Sequence, residues 1–333
     1  MIVDVHAHYF SPRALEELER DAAAYGCQVR RTPDGLPQIV FEDHPPLRPL
    51  GQPVRDLEAR VQRMAEQGVD RQVLSTWMET YCYYLPPAIG ARWCRLQNRT
   101  MAEDVRTLGG GRYSGMAIVP LQDGTLAARE LEYAATQLGL RGVMVGPNFN
   151  ERHLDDPSLE PLWATAEALD QPVLVHPYAP QVGFRLAKYN LAQSVGNPLD
   201  TTIAVGALIF GGVIDRHPDM KVVLAHGGGF FPWQAGRFQR IHAYDPDARG
   251  NGCRPPLEYL RWFYYDSMLY HPPIVRSLIE IVGADRVMLG SDYPFDSGDL
   301  QPLASIRAAG LDAGAEQQVL TTTCCGLFHL APE

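Results

Sequence analysis

Short apolar runs alternate with longer segments of helical periodicity along most of the chain. Val54, Leu57 and Met64 fall on one face of such a segment, Gly68 stops it, and the apolar run 69–75 follows. Apolar residues three or four positions apart predict an amphipathic helix, whereas a short apolar run between turn residues predicts a buried strand. The strands predicted in this way are 2–6, 69–75, 113–119, 141–145, 172–176, 221–226, 262–266 and 286–292. Further helices are predicted at 12–25, 87–108, 123–138, 157–169, 200–215, 231–242 and 273–282.

Apolar strands that alternate with helices are typical of a parallel sheet covered by helices. Eight such strands in a chain of 333 residues favour an α/β fold of the closed (β/α)8 TIM-barrel type, with 1–333 as a single domain. A doubly wound open sheet is the main alternative. No GxGxxG motif follows the first strand to indicate a dinucleotide site.

Residues 28–53 interrupt the alternation. They contain an apolar run at 38–41, a turn signal at 33–35 and a proline-rich passage at 45–50. We therefore predict an inserted flap or small hairpin after strand 1 that covers the end of this strand. Irregular loops beside a site are common places for substrate contacts.

The amino-acid composition restricts the kinds of partner and cellular location that we expect for this chain. The chain has no run of about 20 apolar residues and no signal-peptide pattern, so we expect a cytoplasmic protein without a membrane partner. The 29 basic and 39 acidic residues give a net charge of −10, and the chain has no Lys/Arg block. This argues against nucleic acid as a partner, but it permits a small anionic substrate that is held by a few local arginines. The six cysteines lack CxxC spacing, so they indicate neither a zinc knuckle nor a disulfide framework.

Histidine and aspartate recur at the C-terminal ends of the predicted strands. His6 and His8 end strand 1 and share a face, because side chains at i and i+2 of a strand point the same way. His176, His226 and Asp292 end strands 5, 6 and 8. Such ends converge at one mouth of a barrel, where buried imidazoles and carboxylates are costly unless paired or bound to a metal. The pattern therefore predicts a metal site.

Other residues at the predicted mouth have more than one possible role. Asp266 ends strand 7, and it either positions the substrate, orients His226 or caps the following turn. Tyr178 and Tyr189, after strand 5, are candidates to shape the pocket. The aromatic cluster 77–84, after strand 2, either lines the pocket or packs between subunits.

The ordered motifs resemble the amidohydrolase superfamily, in its branch of aminocarboxymuconate-semialdehyde decarboxylase and related metal-dependent decarboxylases. The similarity runs essentially end to end. Its most specific segments are 4–10, 68–70, 119–123, 175–177, 225–229 and 285–295, which read DVHAHYF, GVD, VPLQD, VHP, AHGGG and DRVMLGSDYPF.

This resemblance implies one divalent ion, most often zinc and alternatively manganese. Its ligands would be His6, His8, His176 and Asp292, with water completing the shell. His226 would be the acid/base that activates this water, and Asp292 would be catalytic as well as a ligand. Binuclear relatives use a carboxylated lysine or a glutamate near the end of strand 4. Residues 143–148 contain neither, which favours a single metal.

The resemblance also implies the substrate contacts. Arg48 in the flap matches an arginine that binds a substrate carboxylate, and a guanidinium fork suits a carboxylate well. Arg237 matches an arginine that reaches into the neighbouring subunit's site, so a homodimer is expected. Phe295 corresponds to an aromatic wall of the pocket. Tyr178-Ala179 stands where close relatives have Trp-Asp, and Tyr178 is the pocket residue expected from this loop.

These features predict a metal-dependent nonoxidative decarboxylase of a small unsaturated or aromatic carboxylic acid, similar to aminocarboxymuconate semialdehyde or a hydroxybenzoate. A hydrolase or hydratase on the same scaffold, acting on a lactone, an amide or a C–C bond, is the alternative. A third possibility is a metal-binding protein without catalytic activity. His226 beside a complete ligand set argues against this third possibility.

Overall fold

The computed structural model describes residues 1–178, 183–252 and 254–331. The strands are β1 (Val3–Tyr9), β2 (Cys27–Arg31), β3 (Pro37–Phe41), β4 (Arg71–Thr76), β5 (Tyr113–Gly115), β6 (Ala117–Ile118), β7 (Val143–Val145), β8 (Asn148–Phe149), β9 (Arg152–His153), β10 (Val173–Val175), β11 (Val222–Leu224), β12 (Tyr264–Asp266) and β13 (Val287–Met288). The α-helices are α1 (Pro12–Asp21), α2 (Gln52–Arg55), α3 (Leu57–Gln67), α4 (Pro87–Leu108), α5 (Gly124–Thr136), α6 (Glu160–Ala168), α7 (Asn197–Phe210), α8 (Val213–Arg216), α9 (Phe231–Tyr244), α10 (Pro272–Val282), α11 (Pro302–Arg307), α12 (Ala313–Gln317) and α13 (Thr323–Leu327).

The barrel consists of two parallel sheets, with the strand orders β1-β4-β5 and β13-β12-β11-β10-β7-β6. β5 and β6 are two parts of one barrel strand, separated only by Met116. The barrel closes between β13 and β1, where Val5 N donates to Leu289 O at 2.9 Å and His8 N donates to Tyr293 O at 2.7 Å. The prediction of eight barrel strands is therefore confirmed for the described ranges, and the open sheet is excluded.

The apolar strands are buried because helices cover the barrel and side chains fill its interior. All residues of β7, β10 and β11 are buried. The prediction of a strand at 286–292 is too long, since β13 ends at Met288. The following residues turn towards β1, with Asp292 at a left-handed φ of 56°.

Several helices begin or end at capping residues that can be identified in the sequence. The Asp56 carboxylate accepts a hydrogen bond from Ala59 N at 2.9 Å at the start of α3. Gly68 ends this helix as predicted, with a φ of 71° that glycine adopts at little cost. Asp123 caps α5 in the same way as Asp56 caps α3.

The flap segment contains an antiparallel hairpin of β2 and β3, in which Cys27 pairs with Phe41. The proline-rich chain then returns along the hairpin, because Leu47 N donates to Ile39 O at 3.0 Å. The ring of His44 stacks on Tyr84, with centroids 3.6 Å apart, and so docks the flap on the loop after β4.

A buried arginine supports β1 from outside the barrel. The Arg60 guanidinium, on α3, donates to His8 O at 2.5 Å and to Gln72 Oε1 at 3.2 Å. It lies 4.5 Å from the centroid of the Tyr293 ring. Burial lowers the pKa of Arg60. Arg60 therefore connects α3 to the backbone carbonyl of His8, one of the predicted metal ligands.

Within the described ranges, the helices lack the combination of length and apolar character that a bilayer crossing requires.

We expect Arg60→Met to lower the free energy of unfolding by about 2–4 kcal/mol, because His8 O and Gln72 lose a buried charged donor. Chemical denaturation measures this loss. Arg63→Met on the same helix is the control, since Arg63 forms a surface ion pair with Glu66 and such pairs contribute roughly 0–1 kcal/mol. Equal denaturation midpoints for the two variants would contradict the role of Arg60.

Candidate metal centre and active site

The five residues predicted at the strand ends come together at one mouth of the barrel. Nitrogen or oxygen atoms of His6, His176, His226 and Asp292 lie within 4.8 Å of one another. His8 Nε2 lies 3.2 Å from His6 Nε2 and 3.0 Å from Asp292 Oδ1. The two histidines of β1 thus share a face, as the strand geometry requires.

The outer ring nitrogens of these two histidines have fixed partners. His8 Nδ1 donates to Thr76 O at 2.8 Å, and His6 Nδ1 donates to Asp266 Oδ2 at 2.6 Å. When both rings are neutral, each Nε2 therefore directs a lone pair towards Asp292 Oδ1, at 3.3 Å from His6 and 3.0 Å from His8. Lone pairs that converge in this way repel unless a cation lies between them. Histidines held through Nδ1 by oxygen acceptors are characteristic of metal ligands.

His176 adds a third imidazole to the cluster. Both of its ring nitrogens are buried without a hydrogen-bond partner among the described residues, and its Nε2 lies 3.9 Å from Asp292 Oδ1. A buried nitrogen without a partner is costly, and coordination to a cation removes this cost. Burial holds the pKa of His176 well below its ordinary value, so the ring is in the neutral form that binds metals.

The electrostatics of the cluster favour a positive charge at this point. Burial alone would lower the pKa of His6, but the carboxylates of Asp292 and Asp266 outweigh it and raise this pKa to about 10. Burial alone would raise the pKa of Asp292, but its contacts with His6, His176 and His226 hold it well below the usual range. Three imidazoles and an ionised carboxylate thus fit a divalent cation.

Asp266 connects His6 with the turn that carries His226. Its carboxylate accepts hydrogen bonds from His226 N at 2.9 Å, Gly227 N at 2.8 Å and Met268 N at 3.2 Å, in addition to the one from His6. Its hydrogen bonds hold the His6 ring and the His226 backbone, and they cap the next turn. Asp266 is fully buried and does not line the cavity at the mouth.

The backbone conformation of 226–229 explains why three glycines follow His226. His226, Gly227, Gly228 and Gly229 all have positive φ values, between 56° and 78°. A Cβ at Gly229 would lie 2.2 Å from Pro198 O, so only glycine fits there. Such backbone is strained for a histidine, and strain of this kind is concentrated at functional sites. The turn leaves 15% of the His226 side chain exposed.

Two adjoining cavities meet at His226 and Asp292, and both are lined by these two residues. The first, of about 530 Å³, is the polar lobe, and its lining includes Arg48, Glu79 and Asp296. The second, of about 760 Å³, is the apolar lobe. It is lined by Tyr189, Phe230, Trp233, Met268, Leu269 and Ile274, among other residues.

Three of the four predicted substrate contacts line the polar lobe, namely Arg48, Tyr178 and Phe295. The Phe295 ring lies 5.1 Å from the His8 ring, measured between centroids. Arg237 is exposed on α9 and lines neither lobe in the described part of the chain. Ala179, at the position where relatives carry a carboxylate, lies outside the described residues.

Some residues of the cavity were not singled out from the sequence. Glu79 lines the polar lobe, and its sequence signal was an acid within the aromatic cluster 77–84 at a strand end. Asn190, Gln193 and Asn197 line both lobes. Their amides have no motif or periodicity that identifies them, because the path of the loop after β10 places them.

Comparison with known proteins agrees with this geometry. A family profile described as Amidohydrolase matches residues 3–322. The chain is 35% identical to the 2-amino-3-carboxymuconate-6-semialdehyde decarboxylase of Dictyostelium discoideum over 252 residues, covering 74% of this chain and 69% of the relative. It is 27% identical to the gamma-resorcylate decarboxylase of Polaromonas sp., covering 78% of this chain and 83% of the relative.

The crystal structure of 5-carboxyvanillate decarboxylase from Sphingomonas paucimobilis is also similar. Its TM-score is 0.83 at 26% identity, and the alignment covers 99% of both chains. From the length of the family match and the identity to the Dictyostelium enzyme, the chain belongs to the amidohydrolase family, in the branch of the aminocarboxymuconate-semialdehyde decarboxylases.

Proposed function

We propose that the chain is a metal-dependent nonoxidative decarboxylase of small aromatic or unsaturated carboxylic acids. The observation that carries this proposal is the cluster of His6, His8, His176 and Asp292 beside His226, in a cavity that also contains an arginine. The similarity to decarboxylases of aminocarboxymuconate semialdehyde, gamma-resorcylate and 5-carboxyvanillate supports the same reaction class.

His6, His8, His176 and Asp292 would hold a single divalent ion, with Zn²⁺ as our first choice and Mn²⁺ as the alternative. Neutral imidazoles together with one carboxylate suit both ions, and zinc binds such mixed nitrogen and oxygen ligands readily. The absence of lysine and glutamate from 143–148 favours one ion over two. When bound, the ion supplies electrostatic stabilisation of the negative charge that develops on the substrate.

The side chains around the cluster would orient the substrate and supply the proton that replaces its carboxylate. In the proposed reaction the bond to the carboxylate carbon breaks, carbon dioxide leaves, and the ring or vinylic carbon retains the electron pair and takes up a proton. His226 lines both lobes and would deliver this proton from Nε2, which lies 3.8 Å from Asp292 Oδ2. Arg48, Tyr178 and Phe295 would hold the substrate in the polar lobe.

We also propose that the protein acts as a homodimer in which Arg237 reaches the neighbouring subunit's cavity. Arg237 is exposed on α9, and the same helix carries Trp233, which lines the apolar lobe. In the proposed dimer this arginine would contribute to the second copy of the site, where its fork would bind a carboxylate.

Replacing His176 by alanine should abolish tight metal binding, because one of four ligands is lost. We expect roughly one ion per chain in the wild type and at least a 100-fold weaker affinity in His176→Ala, measured by elemental analysis and chelator competition. His329→Ala is the matched control, since His329 is exposed and bonds to Asp170. Unchanged metal content in His176→Ala would refute the assignment of this ligand.

His226→Asn should lower kcat/KM for decarboxylation by about 10²–10⁴-fold, because the proton donor is lost. The metal content should change little, as the four proposed ligands remain. Carbon dioxide release is measured for hydroxybenzoates and aminocarboxymuconate semialdehyde with the metal-loaded protein. Substrate consumption without carbon dioxide would instead support the hydrolase or hydratase alternative, and full activity in His226→Asn would remove this residue from the mechanism.

Arg237 allows a test of the dimer by subunit mixing. If Arg237 acts across the interface, inactive His226→Ala and Arg237→Ala subunits should form hybrid dimers that each contain one intact site. Random mixing then restores roughly a quarter of the wild-type activity. Sedimentation checks that dimers form, and a mixture that stays inactive while dimers exchange would show that Arg237 does not act in trans.

A further inference from the structure

Glu79 is a nearly buried acid at the mouth of the barrel that the proposed reaction does not use. It lies in the turn 78–80 after β4, with only 4% of its side chain exposed, and it lines the polar lobe. The turn is joined to α4, because Trp93 Nε1 donates to Thr80 O at 2.7 Å. The position of the Glu79 carboxylate is therefore set by the barrel and its helices.

Arg48 connects the flap to this carboxylate. The amides of Leu47 and Leu50 donate to carbonyl groups of β3, at 3.0 and 2.8 Å. The amide between them belongs to Arg48, and it donates instead to Glu79 Oε2 at 2.5 Å. Arg48 Nε donates to Oε1 of the same carboxylate. Glu79 thus fixes both the backbone and the side chain of Arg48.

The contact with Glu79 leaves the outer edge of the guanidinium free. The two terminal nitrogens of an arginine can bind a carboxylate end-on, through two parallel hydrogen bonds. Glu79 uses only Nε, and the terminal nitrogens of Arg48 have no hydrogen-bond partner in the described part of the chain. Arg48 Cζ lies 5.6 Å from the ring centroid of Trp77 and 5.7 Å from that of Phe295, which lines the same lobe. The guanidinium is therefore oriented at the cavity before a substrate binds.

We propose that Glu79 is a positioning residue that holds Arg48 with its two terminal nitrogens presented to a substrate carboxylate. This inference rests on the proposed decarboxylase function, in which Arg48 binds such a group. An arginine on a loop loses side-chain freedom when it binds a ligand, and an arginine that is already held loses less. Because the charge of Glu79 also repels an anionic substrate, the positioning effect is measured with a variant that retains this charge.

The test uses Glu79→Asp, which keeps the charge but withdraws the carboxylate by one methylene, so that it no longer spans Arg48 N and Nε. The probes are gamma-resorcylate and cis,cis-muconate, an aromatic and an unsaturated acid. Their dissociation constants are measured by calorimetry on zinc-loaded His226→Asn protein, with and without Glu79→Asp. We expect both acids to bind about tenfold more weakly with Glu79→Asp, because an end-on pair of hydrogen bonds needs an oriented guanidinium.

Two further variants separate positioning from a structural role. Arg48→Gln by itself should weaken both acids at least as much as Glu79→Asp does. In this background, adding Glu79→Asp should change the dissociation constants by less than about twofold, because no guanidinium remains to be positioned. A purely structural role of Glu79 would weaken binding equally in both backgrounds. Glu42→Asp, at an exposed acid of the same flap, is the matched control and should leave binding unchanged.

Hydrogen exchange tests the contact without any substrate. The segment 45–50 contains three prolines and three backbone amides, of which two bond to β3 and one bonds to Glu79. In Glu79→Ala, which removes both acceptor oxygens, the Arg48 amide should exchange at least about tenfold faster. The amides of Leu47 and Leu50 should remain protected, because their acceptors on β3 are unchanged.

The inference is overturned if Glu79→Asp leaves the affinity for the acids unchanged or raises it, or if the same loss persists without Arg48. Unchanged exchange of the Arg48 amide in Glu79→Ala, or a zinc-loaded protein that binds neither acid, would also overturn it. A failure of the proposed function is distinct from these outcomes, because it would appear as no carbon dioxide from any acid with His226 intact. The dissociation constants and the amide exchange would still report the position of Arg48.

Discussion

The closure of the barrel between its first and last strands is the constraint on which the site depends. His8 N bonds to Tyr293 O, and Asp292 N bonds to His6 O at 2.8 Å. These backbone bonds bring a carboxylate within 3.0 Å of an imidazole that is 284 positions away in the chain. Because the strands are parallel, their C-terminal ends meet at this mouth, and His176 and His226 join the same cluster.

The polar groups under the mouth support one another. Asp266 accepts hydrogen bonds from the His6 ring and from the backbone of His226, so a proposed metal ligand and the proposed proton donor share one anchor. Arg60 holds the His8 carbonyl from the outer side of β1. Buried polar groups with such partners are stable and precise, and a site needs this precision. The ring nitrogens of His176, which have no such partner in the described part of the chain, indicate where a cation belongs.

The loops around the mouth distinguish this chain from others with the same barrel. The apolar lobe gives room for a ring or chain, whereas the polar lobe contains Arg48 in contact with the buried carboxylate of Glu79. A scaffold of this family therefore does not by itself specify its substrate.

The sequence by itself determined two features, the alternation of strands with helices and the convergence of five polar strand ends. The first follows from periodicity and the second from the geometry of parallel strands. The cytoplasmic location, the homodimer and the choice of zinc stay predictions. The contacts of Glu79 with Arg48 and of Asp266 with His6 span 31 and 260 positions. Only the tertiary structure decided them, since they depend on the paths of irregular loops and on packing between distant strands, which leave no periodic signal in the chain.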